Sequence, residues 1–340
     1  MLKFFFTVIV ISMKTRKSLY SLLFEDVESD IAAAATAGPG AVRKFVDSAP
    51  NKKELKSVLQ GMYDEVQADD EVSVGGASMI SVSKLIPTQN EIDLMKSVGF
   101  PLGGLDALKQ MISSNTSGAE GSISVSGNEV LDGHHRWSGI WGISGPGGVV
   151  SAQNIDLPGD TSQKLAAAQL AIAAYKPESA PQPSAEGEIP YNILGKDKET
   201  IKKMLIGNIG KKTDPKAPGP LLNDEMLAAA ANDKVVADWA DYEIGASVED
   251  VKNAIIEKVA ENLGGAAPVP SNSNAPARAD MPQFDDKGIG GSAAKEEIYA
   301  GLKSGEFNVA EPFGKEKKES VKKNNDSLIM ERWQKLAGLI

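Results

Sequence analysis

The chain has no cysteine, two histidines and few aromatic residues, 6% of its 340 positions. The missing cysteine excludes disulfides, thiolate nucleophiles and zinc sites built on sulfur. No zinc is expected from the two histidines either, because adjacent histidines rarely converge on one ion. A formal net charge of −10 works against sequence-independent duplex binding, whose affinity comes from Lys and Arg neutralising phosphates. Long apolar runs are also lacking, so no transmembrane segment is expected. The one apolar stretch near a terminus, within Met1 to Ser12, is too short to span a bilayer and lacks a small-residue cleavage site. Residues 1–12 therefore read as an upstream extension of the reading frame or a signal-like segment, with Met13 opening the alternative start. Alanine and glycine are abundant, and the length with this composition predicts one compact domain with helical attachments.

Both histidines lie side by side in Asp132-Gly133-His134-His135-Arg136-Trp137. Upstream, Ser122 to Leu131 alternates as strand, turn and strand. Downstream, Trp137, Ile140 and Trp141 fall at helical spacing. The hexapeptide is thus expected at a strand-to-helix turn, with Gly133 permitting the bend. The N–H groups opening a helix and its positive dipole end favour an anion there. Arg136 adds a planar fork that grips phosphate through two hydrogen bonds. In helical projection His134 lies on the Trp137 and Trp141 side while His135 points elsewhere, so His135 and Arg136 are the phosphate-facing candidates and His134 is expected to pack or hold the turn. Asp132 is the nearest carboxylate, with Glu129 second. Asp132 has four readings: carrying Mg2+ with a nucleotide, positioning water, orienting a histidine, or capping the helix.

These residues resemble the Gly-His-His-Arg or Gly-His-Arg-Arg box of the ParB/sulfiredoxin-like superfamily. Ile80 to Gln89 looks like the opening strand and Pro-containing turn of that domain. Val149 to Asp156 looks like its next strand, followed by an alanine-rich helix near Lys164 to Tyr175. The resemblance implies a small mixed-sheet α+β domain that binds a nucleotide or nucleic-acid phosphate at Gly133, His134, His135 and Arg136, with Gln89 brought to the site. Nuclease, nucleotide hydrolase and small-molecule kinase activities all occur on such domains. There are two departures. Chromosome-partitioning members carry a Glu-Asn-x-x-Arg box on the later helix that completes a CTP site, whereas this chain reads Leu165-Ala166-Ala167-Ala168-Gln169-Leu170-Ala171-Ile172. Sulfinic-acid repair needs a cysteine, and there is none. The box within an alanine- and glycine-rich chain ending Glu331 to Gly338 is similar to proteins encoded by bacteriophages, which implies a location in host cytoplasm or virion.

Around a central domain at 77–177, the pattern predicts a helical N-terminal region over 13–76 and a linker over 178–190, dense in Pro, Ser and Glu. A helical region over 191–263 follows, with segments at Lys198 to Ile206, Asp224 to Ala240 and Val248 to Leu263. Residues 264–290 read as a disordered tether, too poor in apolar surface to offset ordering entropy, and 291–340 as a helical tail. Leu19, Leu22, Leu23 and Val27, and at the other end Ile329, Trp333, Leu336 and Ile340, form amphipathic stripes that suit packing on the parent domain or a protein partner. The lysines from Lys315 to Lys323 read as a solvated helix face.

Two functional classes remain open. In the first, an enzyme acts on a phosphoester or phosphoanhydride: Arg136 and the helix N-terminus stabilise developing charge, His135 transfers a proton and Asp132 positions metal or water. In the second, a non-catalytic phage accessory or structural protein uses the domain as a binding module.

Overall fold

The computed structural model describes residues 27–48, 52–60, 71–114, 121–176, 190–212, 217–284 and 291–313. The readings placed on residues 1–12, on most of the N-terminal stripe, on all but the last residue of the 178–190 linker and on the chain beyond 313 lie outside them. A helical stretch over 27–37 leads into α1 (Pro39–Ser48) and α2 (Lys52–Leu59). There follow β1 (Ser78–Ser81), β2 (Ile86–Pro87), α3 (Leu94–Val98), α4 (Leu105–Ser114), β3 (Ile123–Ser126), β4 (Glu129–Asp132), α5 (His134–Ser144), β5 (Val149–Asn154) and α6 (Thr161–Tyr175). The second half supplies α7 (Lys198–Ile206), α8 (Asp224–Ala230), α9 (Lys234–Ala240), α10 (Val248–Gly264) and α11 (Ser292–Ser304).

The five strands form one mixed sheet in the order β1-β5-β3-β4-β2. The β1–β5 and β3–β4 pairs are antiparallel, and β3–β5 and β2–β4 are parallel. The fold class is therefore α+β. The β3–β4 hairpin turns at Gly127, with φ +62°, and its N–H is held by Asn154 Oδ1 of β5 at 2.8 Å. Because strand side chains alternate between faces, Val130 enters one apolar cluster and the adjacent Leu131 the other. The first cluster joins the sheet to α3, α4, α5 and α7 through α10. The second joins it to the 27–37 stretch, α1, α2, α6 and α11. The two clusters cut across the expected partition into separate helical regions: Ile255, Val259 and Leu263 share a core with Val98 and Trp141.

Helix α6 has almost no polar face. Leu165 to Ala174 are all buried, because α1, α2 and α11 pack around it and its alanines let them come close. Its start is fixed by a capping box, in which Asp160 accepts from Gln163 N–H and Gln163 Oε1 accepts from Asp160 N–H. Helix α5 is enclosed in the same way, with His134 and every residue from Trp137 to Ile143 buried. It crosses α3 at Gly139, where a Cβ would stand 2.5 Å from the Ser97 carbonyl oxygen. Beside that crossing the buried hydroxyls of Ser97 and Ser138 are 2.7 Å apart.

Residues 264–284 correct the expectation of a disordered tether over 264–290. The segment lies across the molecule as a strap, with Val269, Met281 and Phe284 buried. A few widely spaced apolar anchors suffice because other elements take up its backbone hydrogen-bonding groups: Asn90 N–H donates to Pro276 O at 3.1 Å, and the Gln169 amide donates to Asp280 O at 3.0 Å. The guanidinium of Arg43 donates to Ala279 O. Phe284 stacks edge-on against Tyr299 of α11, ring centroids 5.6 Å apart.

Two stability outcomes follow. Gly139→Ala should cost about 1–3 kcal/mol, the range for overpacking a filled interior, read as a lowered urea midpoint. Phe284→Ala should cost roughly 3–5 kcal/mol as a deleted core aromatic, whereas a true tether would tolerate it with no change in melting temperature.

Candidate functional site

The hexapeptide occupies the turn from β4 into α5. Gly133 is the pivot, with φ +95°, a region that residues bearing a side chain rarely enter, and a Cβ there would meet Ile123 Cγ2 at 2.4 Å. Gly133 is also the N-cap, and no side chain caps this helix. By contrast Asp93, Asp160, Asp197, Asn223, Asp233 and Ser247 each cap their helices with a side-chain oxygen. The first-turn N–H groups of α5 thus open toward the end of β4 with no side-chain oxygen from the N-cap residue.

Asp132 stands one residue before the N-cap position and turns to the strap, its Oδ2 accepting from Phe284 N–H at 2.9 Å. Of its four readings, capping α5 is not the one seen. The second carboxylate, Glu129, is engaged on the opposite side of the sheet. It pairs with Lys164 Nζ at 2.6 Å and accepts from the Thr161 hydroxyl. Among the described residues no group of three or more His, Cys, Asp or Glu side chains is placed to hold a metal ion.

The two histidines face different neighbours. His134 is buried, and its Nε2 accepts from the backbone N–H of Thr88 at 3.1 Å. A neutral ring accepting at Nε2 carries its proton on Nδ1. Thr88 in turn donates its hydroxyl to Val130 O, so the ring and the threonine lock the segment after β2 against β4 and α5. Gln89, next in the chain, is buried and spends its amide on Glu91 O at 2.6 Å, holding its own turn. His135 is part-exposed as a residue, but its ring Nε2 is buried and has no hydrogen-bond partner among the described residues. Arg136 points to a third neighbour, donating from Nη1 to Gly121 O at 2.9 Å ahead of β3.

Burial drives both imidazoles down to about 3. The positive charge of Arg278 on the strap acts on both in the same direction, and Lys96 of α3, then His134, add to the effect on His135. Rings this far below their usual range are neutral at pH 7. His135 therefore offers a neutral hydrogen-bonding edge there rather than the proton of a general acid, whose pKa should lie near the working pH. The Arg278 guanidinium makes no hydrogen bond or ion pair with another described residue, although its carbonyl accepts from Met281 N–H; the sequence does not single it out, nor Thr88 or Lys96. Thr88 adjoins a position the reading named, whereas Lys96 and Arg278 carry no local signal.

The far end of α5 fixes where this turn sits. Trp137 Nε1 donates to Val82 O and Trp141 Nε1 to Asn262 O, each at 2.9 Å. The two indoles meet edge to face with centroids 5.5 Å apart. The last carbonyls of α5 are taken by Asn262 Nδ2, to Gly142 O and Ile143 O, and by Trp239 Nε1, to Ile143 O at 2.8 Å.

The depressed histidines predict acid lability with a definite sign. Between pH 6.5 and about 3 the unfolded chain protonates these rings while the native chain does not, so native stability is full above 6.5 and declines as pH falls. The slope is up to about 1.4 kcal/mol per pH unit per ring. His134→Gln keeps an acceptor for Thr88 N–H but cannot titrate, so its melting temperature should fall less steeply from pH 6.5 to 4 than that of the parent. Parallel curves would reject the neutral buried imidazole.

Comparison with protein-family models, with curated proteins and with solved structures finds no match for this chain, so its own residues carry the argument about the site.

Proposed function

We propose that this chain is a binding module for a phosphate-bearing ligand, a nucleotide or a nucleic-acid phosphate, taken at the N-terminus of α5. One observation carries the reading. A helix of 11 residues, buried from Trp137 to Ile143, starts at a glycine that supplies no capping oxygen; Arg136 lies in its first turn, and the positive charges of Arg278 and Lys96 act on the His135 ring there. Backbone N–H groups, the helix dipole and guanidinium groups are the chemistry that recognises phosphate. The resemblance of Asp132 to Trp137 to the ParB/sulfiredoxin-like box supports the same ligand class.

Binding is favoured over turnover because both imidazoles are neutral and one is committed to Thr88. The enzyme reading, a nuclease or a nucleotide hydrolase or transferase, needs a proton carrier that these rings do not supply at pH 7. Mg2+ fits as an ion carried in on the ligand's phosphates. Asp132 is the one carboxylate within the turn and already accepts from Phe284, so most of the coordination would come from phosphate oxygens and water. Among the described residues no helix is long and apolar enough to cross a bilayer.

Calorimetric titration of the full chain with ATP, CTP, ADP and a short single-stranded oligonucleotide, each with magnesium, tests this. At least one should bind saturably, and Arg136→Ala should weaken it by about tenfold or more, the loss expected of a charge-assisted hydrogen bond. Absence of binding to every ligand by the folded chain would refute the site. Magnesium-dependent product formation, lost in Arg136→Ala, would move the conclusion to the enzyme.

A further inference from the structure

Exposed apolar side chains gather on the second half of the chain. Among the described residues Ile206, Val235, Ile244 and Val248 are exposed, Ile206 at 50% and Ile244 at 56%. Single exposed apolar residues are ordinary on a protein surface, whereas several side by side mark a place of contact. Helices α7 and α10 run antiparallel: Lys198 pairs with Glu257 at 2.5 Å and Glu261 at 3.0 Å, and Lys202, one turn on, pairs with Glu257 at 3.0 Å. Ile206 follows Lys202 by one more turn on the same face, which carries it toward the start of α10. That helix opens at Val248, four positions after Ile244. Gly245 N–H donates to Ala231 O at 2.8 Å, fastening the Ile244 loop against the junction of α8 and α9, and Val235 lies in the first turn of α9.

The same surface is acidic. Between 241 and 250 the chain carries Asp241, Glu243, Glu249 and Asp250, all exposed, and no Lys or Arg. Glu249 pairs with Lys252, and Asp250 accepts from the Ser247 hydroxyl at 2.6 Å. The side chains of Asp241 and Glu243 have no hydrogen-bond or ion-pair partner among the described residues. Apolar side chains rimmed by unmatched negative charge fit a segment that is apolar along one stripe and basic around it. Residues 314–340, which lie outside the described residues, have that sequence, with seven Lys and Arg against four Asp and Glu in a chain of net charge −10. Arg332 and Lys335 flank the helically spaced Ile329, Trp333, Leu336 and Ile340. The other amphipathic stripe, Leu19 to Val27, does not have the reach. Val27 packs on the second cluster, across the sheet from α7 to α10, and Leu23 is within about 15 Å of it along the chain. Residues 314–328, between Phe313 and Ile329, span up to about 55 Å, comparable with the roughly 50 Å diameter of a compact domain of this length.

We propose that residues 327–340 dock as an amphipathic helix, within the same molecule, on the surface of Ile206, Ile244 and Val248. The stripe from Ile329 to Ile340 covers the apolar side chains, and Arg332, Lys335 and the lysines from Lys315 to Lys323 are set against Asp241 and Glu243. The contact gives those lysines a role beyond a solvated face. It does not depend on the phosphate reading of the α5 turn.

The chain has no cysteine, so an introduced pair supplies its only thiols. The full chain carrying Ile244→Cys with Leu336→Cys is oxidised with glutathione disulfide beside one carrying Met79→Cys with Leu336→Cys. Met79 is as exposed as Ile244, at 55%, but its neighbour Ile80 packs on the first cluster, so Met79 faces the other side of the sheet. The intramolecular disulfide, read by non-reducing electrophoresis and mass spectrometry, should form about tenfold or more faster in the Ile244 pair, because docking raises the local concentration of the two thiols above that of a free tether. Adding Asp241→Lys and Glu243→Lys should slow the Ile244 pair several-fold and leave the Met79 pair unchanged. Lysines beside a thiol raise its reactivity, so slowing reports lost docking. Equal rates in the two pairs overturn docking at this surface. Disulfides that join two chains in place of the intramolecular bond assign the surface to a second copy and overturn the contact within one molecule. A rate indifferent to the charge reversal overturns the electrostatic match that selects this segment. Should Ile244→Cys fail to keep the parental circular dichroism, Val248→Cys takes its place, with the same outcomes.

Discussion

Helix α5 is buried along its length from Trp137 to Ile143, and this constraint organises the rest of the molecule. Where such a helix is buried, its terminal groups need an answer from protein or ligand. At the C-terminal end the answers are visible: Asn262 and Trp239 donate to its last carbonyls, while Trp141 ties it to α10. Those bonds explain why α7 through α10 belong to the same core as the sheet. At the N-terminal end there is no side-chain cap, and what approaches instead is positive charge. The asymmetry between a C-terminus whose Gly142 and Ile143 carbonyls are answered by side chains and an N-terminus without an N-cap side chain is the physical basis of the functional reading.

The same burial sets the charge state of the two imidazoles at the turn. Imidazoles removed from water and placed near Arg278 stay neutral, and a neutral histidine is a shape-specific donor or acceptor rather than a proton reservoir. His134 uses its acceptor for Thr88 and so becomes part of the frame. His135 keeps a donor or acceptor without a described partner. One residue thus holds the turn and its neighbour does not, a division that follows from the helical projection of two adjacent positions.

The strap shows how a segment with little apolar content becomes ordered. Its anchors Val269, Met281 and Phe284 are far apart, and between them the backbone is fixed by donors from the loop after β2, from α1 and from α6, and at its end by Asp132. None of these interactions exists within the strap. Its order is borrowed from the surfaces it crosses, and it carries the Arg278 charge that acts on both histidines.

Much of the local structure was legible in the residues. Alternation over Ser122 to Leu131 marked β3 and β4, Gly133 marked the bend, and the spacing of Trp137, Ile140 and Trp141 marked α5, because strand and helix periodicities are properties of the chain itself. The separation of His134 from His135 was legible for the same reason. Asp224 to Ala240 read as one helix but is two, broken where Asp233 caps α9; an N-cap residue inside an apolar pattern is hard to tell from a polar face. The joining of the helical regions into two cores, the commitment of Asp132 to Phe284 and the approach of Lys96 and Arg278 were not legible. By itself the sequence determined the elements that meet at the turn, since these depend on neighbours a few positions apart. Only the tertiary structure decided which distant side chains surround that turn and that its histidines are neutral, because burial and charge proximity arise from contacts between segments more than a hundred residues apart.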